Sequence, residues 1–275
     1  MGSRSQQTSE IELDLLLEAI YRVHQYDFRG YARSSLRRGV SRARSALGCA
    51  TITELLDRVV HDKSAFAESL RHLTIQVSDL FRDPSYFRFL REIVAPHLAT
   101  YPSLRIWIAG CGTGEEAYSI AILLHEEGLL GRSLVYATDI DAESLEVARA
   151  GSYEAWRMGP FEASYRASGG RASISDYFIV SGARAAVAPL LRSRICFCDH
   201  SLATDASFTE AQLISCRNVL IYFDRELQNR CVALFRDSLC ARGFLGLGHG
   251  ETLAFSHHAG FLELVSSHEQ IYRVR

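Results

Sequence analysis

The sequence predicts an α/β fold with a mainly parallel sheet, preceded by a small all-helical domain. Apolar residues recur with helical spacing over residues 11–75, which indicates the helical domain. Leu104–Ala109 is an apolar run with strand-forming residues, as expected of a strand buried on both faces. A helical pattern begins at Glu115, and between the two lie three glycines at alternate positions: Gly110, Gly112 and Gly114.

Composition sets the outer limits of this prediction. The chain has 275 residues, of which 48% are hydrophobic, and a formal net charge of −2, so two domains with a large core are expected. No apolar run approaches the roughly 20 residues of a membrane span, and the N-terminus does not resemble a signal peptide. The seven cysteines lack paired C-x-x-C spacing. We therefore expect reduced thiols, no metal site, no membrane insertion and a cytoplasmic, monomeric protein.

The N-terminal region carries a one-sided positive charge. Residues 1–10 are polar and expected to be disordered, and 11–75 form the helical domain. Between Arg29 and Arg44 there is no Asp or Glu. Five arginines there tend toward one side of a helix: Arg33, Arg37, Arg38, Arg42 and Arg44. Such a face predicts a partner of opposite charge, either nucleic acid or an acidic protein segment, and the alternative is a solvated surface.

The rest of the chain follows a βα rhythm with one interruption. Residues 76–98 are a linker and the first helix, begun by Pro84, of a second domain over 99–275. Strands are predicted at 104–109, 133–138, 194–198, 211–216 and 244–248, with a closing hairpin after residue 260. Residues 153–193 break the rhythm, and strand patterns at 177–180 and 185–191 indicate an inserted antiparallel subdomain.

The charge of the glycine loop suggests its ligand. Glycines let a backbone approach a nucleotide-like ligand closely. Glu115 and Glu116 would repel a phosphate at the helix N-terminus, and no Lys-Ser/Thr pair follows Gly114. A positively charged adenosyl compound, S-adenosylmethionine (SAM), therefore fits best. A turn serving only chain reversal and an ordinary nicotinamide site are the alternatives.

Polar residues follow two further strands. Asp139 ends the second strand, where an acid binds ribose hydroxyls in such folds, and Asp141 is expected to cap the next helix. Arg217, Asn218 and Tyr222 follow the strand at 211–216. Because carboxyl ends of parallel strands surround the ligand crevice, these three side chains are expected near the chemistry.

Five stretches in register resemble the CheR-type chemoreceptor methyltransferases. They are Ser78–Pro84 (SDLFRDP), Ile106–Ile122 (IWIAGCGTGEEAYSIAI), Ala137–Asp141 (ATDID), Cys216–Asp224 (CRNVLIYFD) and Leu245–Leu253 (LGLGHGETL). The resemblance implies a helical N-terminal domain, a Rossmann-like class I SAM-dependent methyltransferase sheet and a small inserted antiparallel β-subdomain. It also implies methyl esterification of glutamate side chains on receptor helices.

The same resemblance implies roles for particular residues. Arg82 would lie beside the transferring methyl group, and Tyr222 near the acceptor carboxylate, with Arg217 supporting the pocket. Residues matching donor contacts are Gln76, Ser78, Arg82, Gly110, Gly112, Gly114, Glu116, Asp139, Ser201, Leu202, Cys216, Arg217 and Asn218. The five N-terminal arginines would meet the acidic helical methylation region of a chemoreceptor-like protein.

Other acceptors and roles remain alternatives. One is a carboxyl methyltransferase acting on another protein or a small acid, and a second is a regulatory module that binds SAM or its product without turnover. Nucleic-acid methylation is disfavoured by the near-neutral charge and by the lack of an Asn/Asp-Pro-Pro-Tyr/Trp motif.

Overall fold

The computed structural model describes residues 2–74, 78–254 and 256–275, with side chains from residue 7 onward. The chain divides into two compact units. The first contains the described residues up to Thr74 together with Ile221–Arg230, and the second contains those from Ser78 to Leu220 and from Cys231 to Arg275. A segment from the C-terminal half of the chain is therefore part of the helical unit.

The first unit is helical, as predicted. Its helices are α1 (Gly2–His24), α2 (Arg33–Leu47), α3 (Ile52–His61) and α4 (Lys63–Leu73). Leu13, Leu16, Leu17 and Ile20 of α1 are at most 2% exposed, which confirms the helical spacing of the apolar residues. The polar stretch over residues 1–10, expected to be disordered, differs from the structure, in which α1 begins at Gly2. A nucleated helix extends at little cost, and the Glu10 carboxylate accepts a hydrogen bond from Arg37 Nε at 2.8 Å.

The second unit is built on two sheets. Its strands are β1 (Leu104–Ala109), β2 (Ser133–Asp139), β3 (Ser152–Glu154), β4 (Phe178–Ser181), β5 (Arg184–Val187), β6 (Ile195–Asp199), β7 (Ala211–Cys216), β8 (Leu239–Leu247), β9 (Leu262–Ser266) and β10 (Ile271–Val274). The seven-stranded sheet has the order β6-β2-β1-β7-β8-β10-β9. The first five of these strands are parallel to one another, and β10 and β9 are antiparallel. This mixed α/β sheet confirms the predicted fold class.

Helices cover the large sheet. They are α5 (Pro84–Phe89), α6 (Ala95–Leu98), α7 (Glu115–Glu126), α8 (Ala142–Ala150), α9 (Met158–Ala167), α10 (Pro189–Arg192) and α11 (Arg225–Ser238). A π-helical stretch, Leu90–Val94, joins α5 to α6. The core of the unit includes Ile106 and Ile108 of β1, both at most 1% exposed, together with Ile120 and Ile122 of α7.

The insertion is a three-stranded antiparallel sheet in the order β3-β5-β4. Two local predictions differ from it. Leu190 and Leu191, expected in a strand, lie in α10, because Pro189 occupies the first helical turn, where its missing N–H is not needed. The Gly159-Pro160 pair suggested a turn, yet it lies in the first turn of α9, where proline is also tolerated.

The strand β8 is longer than predicted. It begins at Leu239 rather than Phe244, and the pairing of β7 with β8 shifts register between Ala211 and Leu213. Arg242 has a φ of 60° there. The Arg242-Gly243 pair, expected to end a helix, therefore marks an irregularity within the strand.

Candidate active site

The predicted site residues of the second unit follow the carboxyl ends of parallel strands. The chain leaves β1 toward β2 on one side, whereas β7 pairs with its other side, so the strand order reverses between β1 and β7. This is the position at which open α/β sheets bind ligands. Gly110 follows β1, Asp139 ends β2, and Arg217 follows β7.

The glycine loop is tightly packed against its neighbours. Gly110 has a φ of +74°, and a Cβ placed on it would lie 2.4 Å from Val219 Cγ2. Gly114 has a φ of +93°, and its Cβ would lie 2.8 Å from the Cβ of Ala148. Both distances are too short for any side chain. The loop therefore requires glycine for conformation and for space.

Asp139 holds the same loop from β2. Its Oδ2 accepts a hydrogen bond from Gly112 N at 2.8 Å, and its Oδ1 accepts one from Asp141 N at 3.0 Å. Burial raises the pKa of the Asp139 carboxyl above its usual value. Asp141 accepts from Glu143 N at the start of α8, as its predicted capping role requires.

The two glutamates at the start of α7 do not form an uncompensated negative end. Glu115 is 1% exposed, and Arg157 Nη1 donates to its Oε1 at 2.7 Å. Glu116 accepts from Ser215 Oγ at 2.6 Å and from Arg217 Nη1 at 3.2 Å. The expectation of bare acids that repel phosphate is thus modified, because a guanidinium neutralises each carboxylate.

Arg217 joins three parts of the second unit. Besides Glu116, its guanidinium donates to the Arg82 carbonyl oxygen at 2.9 Å and to Asp83 Oδ2 at 2.7 Å. Its side chain is 1% exposed and stacks over the Tyr86 ring at 4.1 Å from the ring centroid. A buried cation with this many partners fixes the segment that precedes α5 against the end of β7.

The segment around Arg82 has an unusual backbone. Phe81 and Asp83 both have positive φ values, 53° and 56°. Phe81 N donates to Ser119 Oγ at 2.8 Å, so α7 holds this segment on one side and Arg217 holds it on the other. Non-glycine residues in this conformation cost of order 1–3 kcal/mol each and cluster at functional sites. Arg82 therefore lies in a backbone that the surrounding structure imposes.

Other predicted donor residues are placed less distinctively. Ser78 contributes its carbonyl oxygen to Arg157, and Gln76 lies outside the described residues. Ser201 and Leu202 follow β6, where Ser201 N donates to Asp205 at 2.9 Å, and Cys216 is fully buried. The roles of these residues in donor binding stay predictions.

Asn218 depends on a residue that sequence reasoning missed. It has a φ of 60°, and its N–H donates to Glu251 Oε2 at 2.9 Å. Val219 N and Gly248 N also donate to the Glu251 carboxylate, at 2.9 and 2.6 Å. Glu251 lies in the LGLGHGETL stretch, but no local pattern shows that its carboxylate orders the turn after β7.

The remaining predicted site residues belong to the first unit. The Tyr222 carbonyl oxygen accepts from Ala32 N at 2.8 Å, and the tyrosine lies in a 3₁₀ turn, Leu220–Tyr222. Arg33 and Arg37 form ion pairs with Asp14 and Glu10 of α1, at 2.5 and 2.8 Å.

The other three arginines of α2 differ from this pair. Arg38, Arg42 and Arg44 have no carboxylate within ion-pair distance among the described residues. Arg38 and Arg42 are exposed, and Arg44 is half-buried. The predicted basic face is thus narrower than five residues.

Two general features bear on the class of protein. Across the described ranges, no group of three or more His, Cys, Asp or Glu side chains is arranged to hold a metal ion. No helix among those ranges is both long and apolar enough to cross a membrane. Cys196 and Cys198, on neighbouring same-side positions of β6, are thiols whose sulfur atoms lie 3.3 Å apart.

The residues present fit SAM. The loop from Gly110 to Gly114 leaves no room for side chains, which suits the close approach of an adenosyl ligand. Asp139 provides a carboxylate at the position where ribose hydroxyls bind in such folds. The fold and this edge of the sheet define a class I SAM-dependent methyltransferase.

Family comparisons place the chain more narrowly. The family description "CheR methyltransferase, SAM binding domain" matches residues 76–270, and "CheR methyltransferase, all-alpha domain" matches residues 11–74. The chain belongs to the CheR methyltransferase family.

Three curated relatives illustrate its neighbourhood. The chain is 47% identical over 269 residues to "Putative methyltransferase Cher3" of Pseudomonas putida, with 98% of each chain covered. It is 32% identical to "Chemotaxis protein methyltransferase" of Listeria innocua, over 74% of this chain and 75% of that one. Its identity to "Chemotaxis protein methyltransferase 1" of Pseudomonas aeruginosa is 31%, over 75% and 77% of the two chains.

Proposed function

We propose that this chain transfers the methyl group of SAM to glutamate side-chain carboxylates of a chemoreceptor-like protein, giving glutamate methyl esters. The observation that carries the proposal is the Arg82 segment, held in a strained backbone by Arg217 and Ser119 at the donor-binding edge of the sheet. The names of the relatives, chemotaxis protein methyltransferases, support a receptor as the acceptor.

The proposed chemistry needs positioning more than proton transfer. A glutamate carboxylate has a pKa near 4.3, so it is ionised at neutral pH and needs no general base. SAM, when bound, supplies a methyl group activated by its sulfonium. The protein must hold the carboxylate in line with that methyl group and exclude water.

The hydrogen bonds divide the roles of the two arginines. The Nη atoms of Arg217 already donate to Glu116, Asp83 and a carbonyl oxygen, so this residue supports the pocket. Arg82 is the guanidinium that we assign to the acceptor carboxylate, because a planar fork orients a carboxylate through paired hydrogen bonds. Tyr222 is proposed to add one directional hydrogen bond to the same group.

The donor is proposed to lie along the strand ends. Asp139 would take the ribose hydroxyls, and Glu116 would take the positively charged end of the methionine moiety. The other proposed contacts surround these two and are Gln76, Ser78, Arg82, Gly110, Gly112, Gly114, Ser201, Leu202, Cys216, Arg217 and Asn218.

A two-stage experiment tests the proposed function. Calorimetry with SAM and with S-adenosylhomocysteine (SAH) measures donor-site binding, and transfer of a labelled methyl group to receptor signalling domains measures activity. Release of labelled methanol by alkali identifies an ester, since methylated amines are stable to it. Donor binding without transfer to any receptor would instead favour a regulatory module, and transfer only to small acids would contradict the receptor proposal.

Charge reversal on α2 tests the acceptor surface. Replacing Arg38 and Arg42 with glutamate is expected to raise the KM for an acidic receptor helix roughly tenfold and to leave kcat nearly unchanged. These two exposed cations lack carboxylate partners among the described residues, so they are available to an acidic partner. Steady-state kinetics at low and high salt measure the effect, which salt should diminish.

The matched control reverses Lys63 and Arg194, which are also exposed and give the same change in net charge. Equal KM values for the two double variants would contradict a role for α2 in acceptor binding.

The raised pKa of Asp139 predicts a pH dependence of donor binding. Protonation removes the charge that strengthens hydrogen bonds from ribose hydroxyls, so the affinity for SAH is expected to fall as the pH drops toward the raised pKa. Stability without donor changes in the opposite sense. A folded-state pKa above the unfolded value favours folding at low pH, and this contribution is lost as the pH rises through the folded pKa.

Calorimetry with SAH between about pH 7.5 and about pH 5 measures the trend, and the Asp139→Asn variant should lack it. An SAH affinity that is independent of pH in the unmodified protein would contradict the ribose role of Asp139.

A further inference from the structure

Arg157 lies in the insertion but makes most of its polar contacts outside it. It ends a 3₁₀ turn, Ala155–Arg157, between β3 and α9. Nη1 donates to Glu115 at 2.7 Å, and Nη2 donates to the Ser78 carbonyl oxygen at 3.1 Å and to Asp79 Oδ1 at 3.3 Å. One guanidinium thus joins the insertion, the first residue of α7 and the segment that leads to Arg82.

The apolar part of the contact comes from the insertion itself. The Arg157 guanidinium carbon lies 4.7 Å from the centroid of the Phe161 ring and 5.5 Å from that of Tyr153. The side chain is 19% exposed. Aromatic faces on a partly desolvated guanidinium restrict its orientation, so its hydrogen-bonding edge is directed at the two other segments.

Glu115 extends the connection to both sides of the site. Its Oε2 accepts from Thr113 Oγ1 in the glycine loop at 2.6 Å. Its backbone carbonyl oxygen accepts from Ser119 Oγ at 2.8 Å, and the same Oγ accepts from Phe81 N at 2.8 Å. The hydrogen bonds therefore form a continuous path from the insertion, through Glu115, to the strained residue that precedes Arg82.

We propose that Arg157 is a positioning residue for methyl transfer, which sets the Ser78–Asp83 segment and the glycine loop in their working arrangement. The catalytic consequence rests on the proposed function, whereas the positioning itself does not. Arg157 does not need to touch donor or acceptor for this. It acts through Glu115 and through the Ser78–Asp79 backbone, and so it makes the geometry around Arg82 depend on the seating of the insertion.

The proposal requires the shape of arginine in addition to its charge. Three acceptors on two segments are reached by two nitrogens of one planar fork. A lysine ammonium is a point charge on a flexible chain and cannot reproduce the separated contacts or the aromatic stacking. Arg157→Lys therefore keeps the positive charge beside the buried Glu115 but loses the tie between the two segments.

Arg184→Lys is the matched control. Arg184 lies on β5 of the same insertion, and its guanidinium donates to Glu154 at 3.0 Å and to Ser152 Oγ at 3.1 Å. None of these partners belongs to the glycine loop or to the Arg82 segment. The two variants thus make the same chemical change within one subdomain, with only one of them at the proposed path.

Three measurements on the full chain test the proposal: SAH affinity, kcat at saturating SAM and acceptor, and hydrogen exchange of the backbone amides near Arg82. Arg157→Lys is expected to lower kcat roughly tenfold, to weaken SAH binding a few-fold and to speed exchange at Leu80–Arg82. Arg184→Lys should stay within about twofold of the unmodified protein in all three. Equal values for the two variants would overturn the proposal.

Asp79→Asn separates positioning from overall stability. Asp79 is half-exposed, and the amide keeps an oxygen for Leu80 N while it weakens the Arg157 contact. We expect lower kcat and faster local exchange with unchanged SAH affinity. Uniformly faster exchange across the whole second unit in both variants would show a merely structural role and overturn the proposal. If no receptor is methylated by the unmodified protein, the proposed function fails, but SAH affinity and local exchange still decide the role of Arg157.

Discussion

Replacing Arg82 with alanine is expected to lower kcat for methyl transfer by roughly 10²–10³-fold, the loss typical when one charge-stabilising donor is removed from an active site. The side chain is proposed to orient the acceptor carboxylate. The segment itself should stay in place, because its backbone is held by Ser119 and Arg217 rather than by the Arg82 side chain. Labelled methyl transfer at saturating SAM, with melting temperature and SAH affinity measured alongside, gives the comparison.

Two further substitutions sharpen this prediction. Arg82→Lys keeps the charge without the planar fork, so an intermediate kcat is expected. Arg88→Ala removes an exposed arginine of α5 that donates to the Ala167 carbonyl oxygen, and it should leave kcat nearly unchanged. Near-normal turnover of Arg82→Ala would reject the assignment of the acceptor carboxylate to Arg82.

Local signals explain why much of the fold was predictable. The run Leu104–Ala109 is apolar throughout apart from Arg105 and is bounded by glycine, so its strand matches the structure residue for residue. Asp139 and Arg217 were located at strand ends because a parallel sheet has only one carboxyl edge. Where one residue type admits two local structures, prediction was less secure. Pro189 and Pro160 begin helices here, although proline and glycine equally mark turns.

The charge balance of the site was not predictable from local sequence. Glu115 and Glu116 look like a bare acidic helix start, but their partners Arg157 and Arg217 are far away in the chain. Burial of a carboxylate requires such a partner, yet nothing in the spacing says which arginine supplies it. Glu251 was missed for the same reason, since its role is defined only by the backbone N–H groups that converge on it.

Gly110→Ala is expected to weaken SAH binding by roughly 100-fold or more, since it combines backbone strain with a steric clash. At a φ of +74° any side chain is disfavoured, and the added Cβ would lie 2.4 Å from Val219 Cγ2. Relief of that contact must move the glycine loop or the turn after β7, both of which are proposed to contact the donor. Calorimetry with SAH measures the loss.

Two matched variants separate strain from clash. Gly128 has a φ of +71°, and nothing lies within 4 Å of the position that a Cβ would occupy there, so Gly128→Ala carries the strain alone and should retain SAH affinity. Val219→Ala removes the clashing methyl group, so Gly110→Ala with Val219→Ala should bind SAH more tightly than Gly110→Ala alone. If the double variant binds no better, the close approach of Val219 is not what makes glycine necessary. If Gly110→Ala binds SAH normally, the loop does not hold the donor, since a ligand cradle displaced by this clash cannot keep its affinity.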